Sequence, residues 1–110
     1  MGTLSDLTEP ETPEHAVVAH YRLSSDEYGT RAEREAIFDA QRAMTAAVEE
    51  AGVGEVDGNE FGGGEAVVYA YGQDAEALFK VMEPALRSLP LRPAHVVLRR
   101  GSETGSRVNL

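Results

Sequence analysis

Residues 49–71 read E-E-A-G-V-G-E-V-D-G-N-E-F-G-G-G-E-A-V-V-Y-A-Y, and this stretch decides the fold. It holds six acidic residues (Glu49, Glu50, Glu55, Asp57, Glu60, Glu65) and six glycines (Gly52, Gly54, Gly58, Gly62, Gly63, Gly64), without one Lys or Arg. Clustered like charges repel, and glycine loses more chain entropy on folding than any other residue. Neither a helix interior nor a core strand tolerates that composition well, so the structure has to change at the glycines. Gly52 is placed to stop a helix in the left-handed conformation that glycine adopts cheaply. Residues 53–61 then read as a polar edge strand, 62–64 as a tight turn, and 66–71 as an apolar strand of the core. Helix, edge strand and core strand thus follow one another within a short span.

The rest of the chain extends this order on both sides. Residues 15–23 alternate, with Val17, Ala19, Tyr21 and Leu23 on one face and Val18, His20 and Arg22 on the other, which is the period of a strand, β1. Thr30 with Glu33 forms a capping box, and apolar residues at three- and four-residue spacing follow it, so helix α1 is expected over 31–51. Residues 53–61 are β2 and 66–71 are β3. Asp74 opens a second helix, α2, whose stripe includes Leu78, Phe79, Met82 and Leu86; Pro84 sits inside it and Pro90 stops it. Ile37, Met44, Leu78, Phe79, Met82 and Leu86 are expected in the core. Residues 94–100 form β4. The order βαββαβ is that of the ferredoxin-like α+β sandwich, a four-stranded antiparallel sheet with two helices on one face. Right-handed crossovers would put β1 and β3 in the centre and β2 and β4 at the edges. The expected organisation is a mobile acidic tail over 1–14, one domain over 15–101, and a mobile tail over 102–110.

With 110 residues, 42% hydrophobic and 26% charged, the composition is that of one globular domain. No apolar run approaches the roughly 20 residues that span a bilayer. Residues 1–6 lack the basic and apolar regions of a signal peptide, so the expected location is cytoplasmic, with no membrane partner. The absence of Cys removes disulfides, thiolate catalysis and Cys-ligated metal centres. A net charge of −9 argues against nucleic acid, whose binding is driven by Lys and Arg displacing counterions. The charge is uneven: Asp6, Glu9, Glu11 and Glu14 lead the chain, while Arg87, Arg92, Arg99 and Arg100 come late.

Glu55, Asp57 and Asn59 alternate, so on a regular strand their oxygens share a face. With Glu60 and Glu65 they make a candidate partner-binding set. Read as a calcium loop starting at Glu55 they fail, because the sixth position is Glu60 rather than Gly and the twelfth is Ala66 rather than Glu. No metal or other cofactor is therefore expected. The glycines match no phosphate-cradling motif, and Glu60 and Glu65 would repel a phosphate. His20, Arg22, Tyr69 and Tyr71 are the candidate residues of an open sheet face, since His20 and Arg22 share a face of β1 and Tyr69 and Tyr71 share a face of β3. Three readings of them stay open: the tyrosines face the helices instead, the open face is a homodimer surface, or strand aromatics stack on RNA bases, which the charge opposes. With β4 antiparallel to β1, His95 is expected opposite the far end of β1 from His15, so the three histidines do not converge on one metal, and no nucleophile with a base can be assembled from the one Lys, Lys80, or from the histidines. No catalytic residue is assigned. The functional expectation is a non-enzymatic binding or regulatory module that contacts a basic protein through its acidic β2–β3 hairpin. The alternative is a small ligand-binding domain or enzyme with a weak divalent-cation site near Asp57.

Residues 56–65, followed by Tyr71-Gly72-Gln73-Asp74-Ala75, carry a likeness to known sequences. The chain resembles a family of small bacterial proteins with a D-G-x-E-x-G-x-G-E segment, a Y-G-x-D-A helix start and a late L-R-x-G strand, here Leu98-Arg99-Arg100-Gly101. The resemblance covers residues 52–101. The family has no established activity, so it implies a common fold and no mechanism. Where such sequences carry Pro after the Y-G pair, this chain has Gln73.

Overall fold

The computed structural model describes residues 14–24, 27–100 and 105–110. Its elements are β1 (His15–Arg22), α1 (Arg31–Ala51), β2 (Glu55–Gly62), β3 (Glu65–Gly72), α2 (Ala75–Ser88), β4 (Ala94–Arg99) and β5 (Ser106–Asn109). Among the described residues the fold is α+β, with two helices and a five-stranded antiparallel sheet in the order β2-β3-β1-β4-β5. The expected four-stranded sheet is corrected to five. Residues 106–109, expected in a mobile tail, pair with β4, so β4 is an inner strand and β5 takes the edge. Alternation explains the pairing: Val108 and Leu110 pack against the core, while Arg107 and Asn109 point to the other face. The tail expected over 1–14 lies, but for Glu14, outside the described residues.

Local chemistry sets the element ends. Thr30 Oγ1 accepts from Glu33 N at 3.1 Å and a Glu33 carboxylate oxygen accepts from Thr30 N at 2.9 Å, which closes the capping box of α1. The Thr30 N–H first, and then bonds from Ser24, hold the Glu33 carboxyl below its usual range. Gly52 ends the helix at φ +68° with its N–H on the Val48 and Glu49 carbonyls. Asp74 caps α2 by accepting from the N–H groups of Glu76 and Ala77. At the far end of α2, side chains satisfy carbonyls that a helix leaves orphaned. Ser88 donates to Ala85 O, Arg92 to Arg87 O, and Tyr21 Oη to Leu86 O at 2.6 Å.

One cluster forms the core. Val17, Ala19 and Tyr21 from β1, Val68 and Ala70 from β3, and Val96 and Leu98 from β4 meet Ile37, Met44 and Val48 of α1 and Leu78, Met82 and Leu86 of α2. Both helices therefore lie on the same sheet face. Phe79 differs from expectation: it is only half-buried at the margin of the cluster. Among the described residues no helix is long and apolar enough to cross a membrane.

The β2–β3 hairpin turns on Gly63 and Gly64, at φ +60° and +77°, the two positive φ values of a type I′ turn. At its other end Gly54 and Gly72 bring two backbones together. A Cβ on Gly72 would lie 2.3 Å from the Val53 carbonyl oxygen, and one on Gly54, at φ +152°, would lie 2.2 Å from that of Tyr71. Gly72→Ala is therefore expected to cost more than about 2 kcal/mol, as an overpacked backbone contact. Gly62→Ala, with open space around the new methyl, should change stability by less than about 1 kcal/mol. Urea denaturation of the pair measures both. In the same assay Tyr21→Phe should cost about 1–3 kcal/mol, because it leaves the buried Leu86 carbonyl without a partner.

Candidate functional site: the open sheet face

The helices cover the face on which Val17, Ala19 and Tyr21 lie, so the alternate residues of every strand form the other face. The pairing arranges them in rows from β2 towards β5. The first row is Glu55, Tyr71, Ala16 and Arg99; the second is Gly58, Tyr69, Val18, Val97 and Arg107. The third is Glu60, Val67, His20, His95 and Asn109, and the fourth is Gly62, Glu65 and Arg22. Apolar and aromatic side chains occupy the middle. Acids line the β2–β3 side, and Arg22, Arg99 and Arg107 lie on β1, β4 and β5.

Specific contacts order this surface. Tyr69 Oη donates to a Glu60 carboxylate oxygen at 2.7 Å, and that bond to an anion raises the phenol above its ordinary pKa. The His20 and His95 rings stack with centroids 4.6 Å apart and planes 9° from parallel. His20 Nδ1 lies 3.4 Å from a Glu65 carboxylate oxygen. His95 is held below its ordinary value of 6.5, first by burial and then by the positive charges of Arg107 and His20, with Glu65 acting in the opposite direction.

The four open-face candidates, His20, Arg22, Tyr69 and Tyr71, thus lie together on the face without helices. The five acidic-hairpin candidates divide. Glu55, Glu60 and Glu65 point to the open face, but Asn59 pairs with Val68 on the helix side and donates from Nδ2 to Gln41 Oε1 of α1. A bulge between Val56 and Gly58 is the cause: Asp57 is an extra residue without a register partner, so the alternation changes phase there. Glu55, Asp57 and Asn59 therefore do not share a face as the sequence pattern had suggested. Asp57 stays exposed at the bulge and lines a shallow depression with Gly58, Asn59, Glu60, Tyr69 and Tyr71. Among the described residues no three His, Asp or Glu side chains are grouped to hold a metal ion. His15, also distant from the other two histidines, accepts the N–H of Ala75 at 3.0 Å and so helps to cap α2.

Sequence reasoning placed His95 opposite the far end of β1 from His15 but did not assign it, or Val97, Arg99 and Arg107, to this face. The antiparallel pairing of β1 and β4 held the signal, since a strand that ends near Arg22 and another that starts near Ala94 bring His20 opposite His95. No family model and no curated protein matches this chain.

The histidine stack makes a pH dependence. Because the folded value of His95 is lowered, the unfolded chain binds its proton more readily. Stability is complete above about 6.5 and falls as the pH drops through the window between that value and the folded one. NMR titration should place the His95 midpoint below 6.5, and Arg107→Gln should move it upwards. The melting temperature should fall as the pH drops below about 6.5, and less steeply in His95→Gln.

Proposed function

We propose that this chain is a non-enzymatic binding module that docks a basic protein surface on the acidic half of its open sheet face. One observation carries the reading: Glu55 and Glu60 of β2 lie in register beside Tyr71 and Val67 of β3, and Tyr69 and Glu65 share that side of β3, on a face that neither helix covers. Apolar and aromatic centres with charged rims are the anatomy of protein interfaces, and tyrosine supplies contact area at low entropic cost. The acids steer encounter with a cationic partner and repel acidic competitors. For the fold we propose the ferredoxin-like class: β1 to β4 with the two helices supply the βαββαβ unit, and β5 extends its sheet. The motif resemblance over residues 52–101 belongs to the same proposal.

The test uses immobilised full-length chain and octa-arginine as a cationic probe, with association rates recorded from low to physiological salt. The parent chain should bind the probe with a rate that falls steeply as salt rises. Glu55→Gln with Glu60→Gln should slow association at low salt and flatten that dependence while leaving the melting temperature in place. Equal rates for parent and double variant would remove the acidic half as a docking surface.

A further inference from the structure

We infer that the partner of the open face is a second copy of this chain, seated with its Arg-bearing strands over the acidic strands of the first. The inference rests on the binding-module reading and names the partner. The face is its own electrostatic complement: the acids lie on β2 and β3, and Arg22, Arg99 and Arg107 lie on β1, β4 and β5. Among the described residues neither Glu55 nor Arg99 makes an ion pair.

Two-fold symmetry allows two ways to lay such a face on itself with the strands aligned, and the charges separate them. An axis across the strands puts β2 over β2, so that the Glu55, Asp57 and Glu60 carboxylates of the two copies converge. An axis along the strands, between β3 and β1, puts β2 over β4 and β3 over β1 of the second copy. Each row then meets the same row: Glu55 faces Arg99 of the second copy, Glu65 faces its Arg22, and Tyr69 faces its Val18. Symmetry makes every such contact twice. Packed sheets cross at about 30°, which displaces the outermost rows by about one strand spacing, a gap that Glu and Arg side chains span. The four strands that overlap, β2, β3, β1 and β4, are about 4.8 Å apart and about 20 Å long, on the order of 400 Å² in plan. Side-chain relief adds to this, but the interface stays below the ~800 Å² that each partner buries in a standard one, which suits a reversible equilibrium.

Two copies carry a formal charge of −9 each, so the experiment is run at about 150 mM salt, where the Debye length is about 8 Å and net repulsion is screened. Sedimentation velocity of the full chain from low micromolar to several hundred micromolar should show a reversible monomer–dimer equilibrium. Glu55→Arg alone and Arg99→Glu alone should each weaken it at least about tenfold, because each places two like-charge pairs in the interface. An equimolar mixture of these two variants should recover dimer as a heterodimer, since both cross-contacts then join opposite charges. Within one chain the two positions stand three strands apart, about 14 Å, so recovery on mixing requires contact between chains. Melting curves of each variant confirm that both fold.

A parent chain that stays monomeric throughout, variants that associate like the parent, or a mixture no stronger than its components would each overturn the self-docking arrangement. Octa-arginine binding separates this failure from that of the parent reading. Monomers that still bind the probe through Glu55 and Glu60 retain the acidic docking surface and reject only the second copy, whereas monomers that ignore it reject both.

Discussion

Strand β1 is hydrogen-bonded on both edges, to β3 and to β4, and its register decides what every other strand shows to water. Val17, Ala19 and Tyr21 are fully buried while Val18, His20 and Arg22 lie on the opposite side. A slip of one residue would exchange the two sets, driving an imidazole and a guanidinium into an apolar core and exposing three core side chains. That penalty holds the sheet in one arrangement. The composition of the open face follows from the same constraint, because His95 meets His20, and Tyr69 meets Val18, only in this register.

Tyr21 couples that register to the helical layer. Its hydroxyl reaches from the central strand to the Leu86 carbonyl near the end of α2, one of the acceptors that helix geometry leaves unsatisfied. Burial then keeps the phenol neutral, raising it well above its ordinary range despite the nearby Arg87 and Arg92. A neutral donor at that point suits a buried carbonyl, whereas a phenolate would repel it. One side chain thus fixes the depth at which α2 sits on the sheet. The same helix begins on Asp74 and on the ring of His15, the first residue of β1, so both of its ends are tied to that strand.

Much of this was legible in the chain because local chemistry dictated it. The alternation of residues 15–23, the Thr30–Glu33 box, the Gly52 stop and the Asp74 cap each need only neighbouring residues, and the structure shows all four. What escaped depends on pairing between distant residues. The bulge at Asp57 exists only relative to β3, so the sequence pattern placed Asn59 beside Glu55 when it turns instead to Gln41. Strand β5 has four residues and one half-buried apolar side chain, Val108, too little for a periodic signal before β4 supplies its partner. Phe79 sits on the apolar stripe of α2, but the stripe is wider than the sheet contact, and the ring falls at its margin. For the site, the acids and tyrosines were readable as types; their distribution over one face required the register.

The glycines of residues 49–71 now separate by physical cause. Gly52 caps a helix, Gly63 and Gly64 take positive φ in a turn, and Gly54 makes the close backbone crossing with Gly72. These four are demanded by backbone geometry. Gly58 and Gly62 are different: a Cβ on either would meet nothing within 4 Å, and neither has a positive φ. Both lie on the open face, in the rows of Tyr69 and Glu65. Gly58 adjoins the bulge and Gly62 ends β2, and each carries an entropic cost that no close contact or positive φ requires. What they provide is a low edge on β2, so that the Tyr69 ring and the carboxylates of Glu55 and Glu60 stand clear of side chains between them. In the docking proposed above, that relief would let a guanidinium approach a carboxylate directly, where a flat polar strip would hold water.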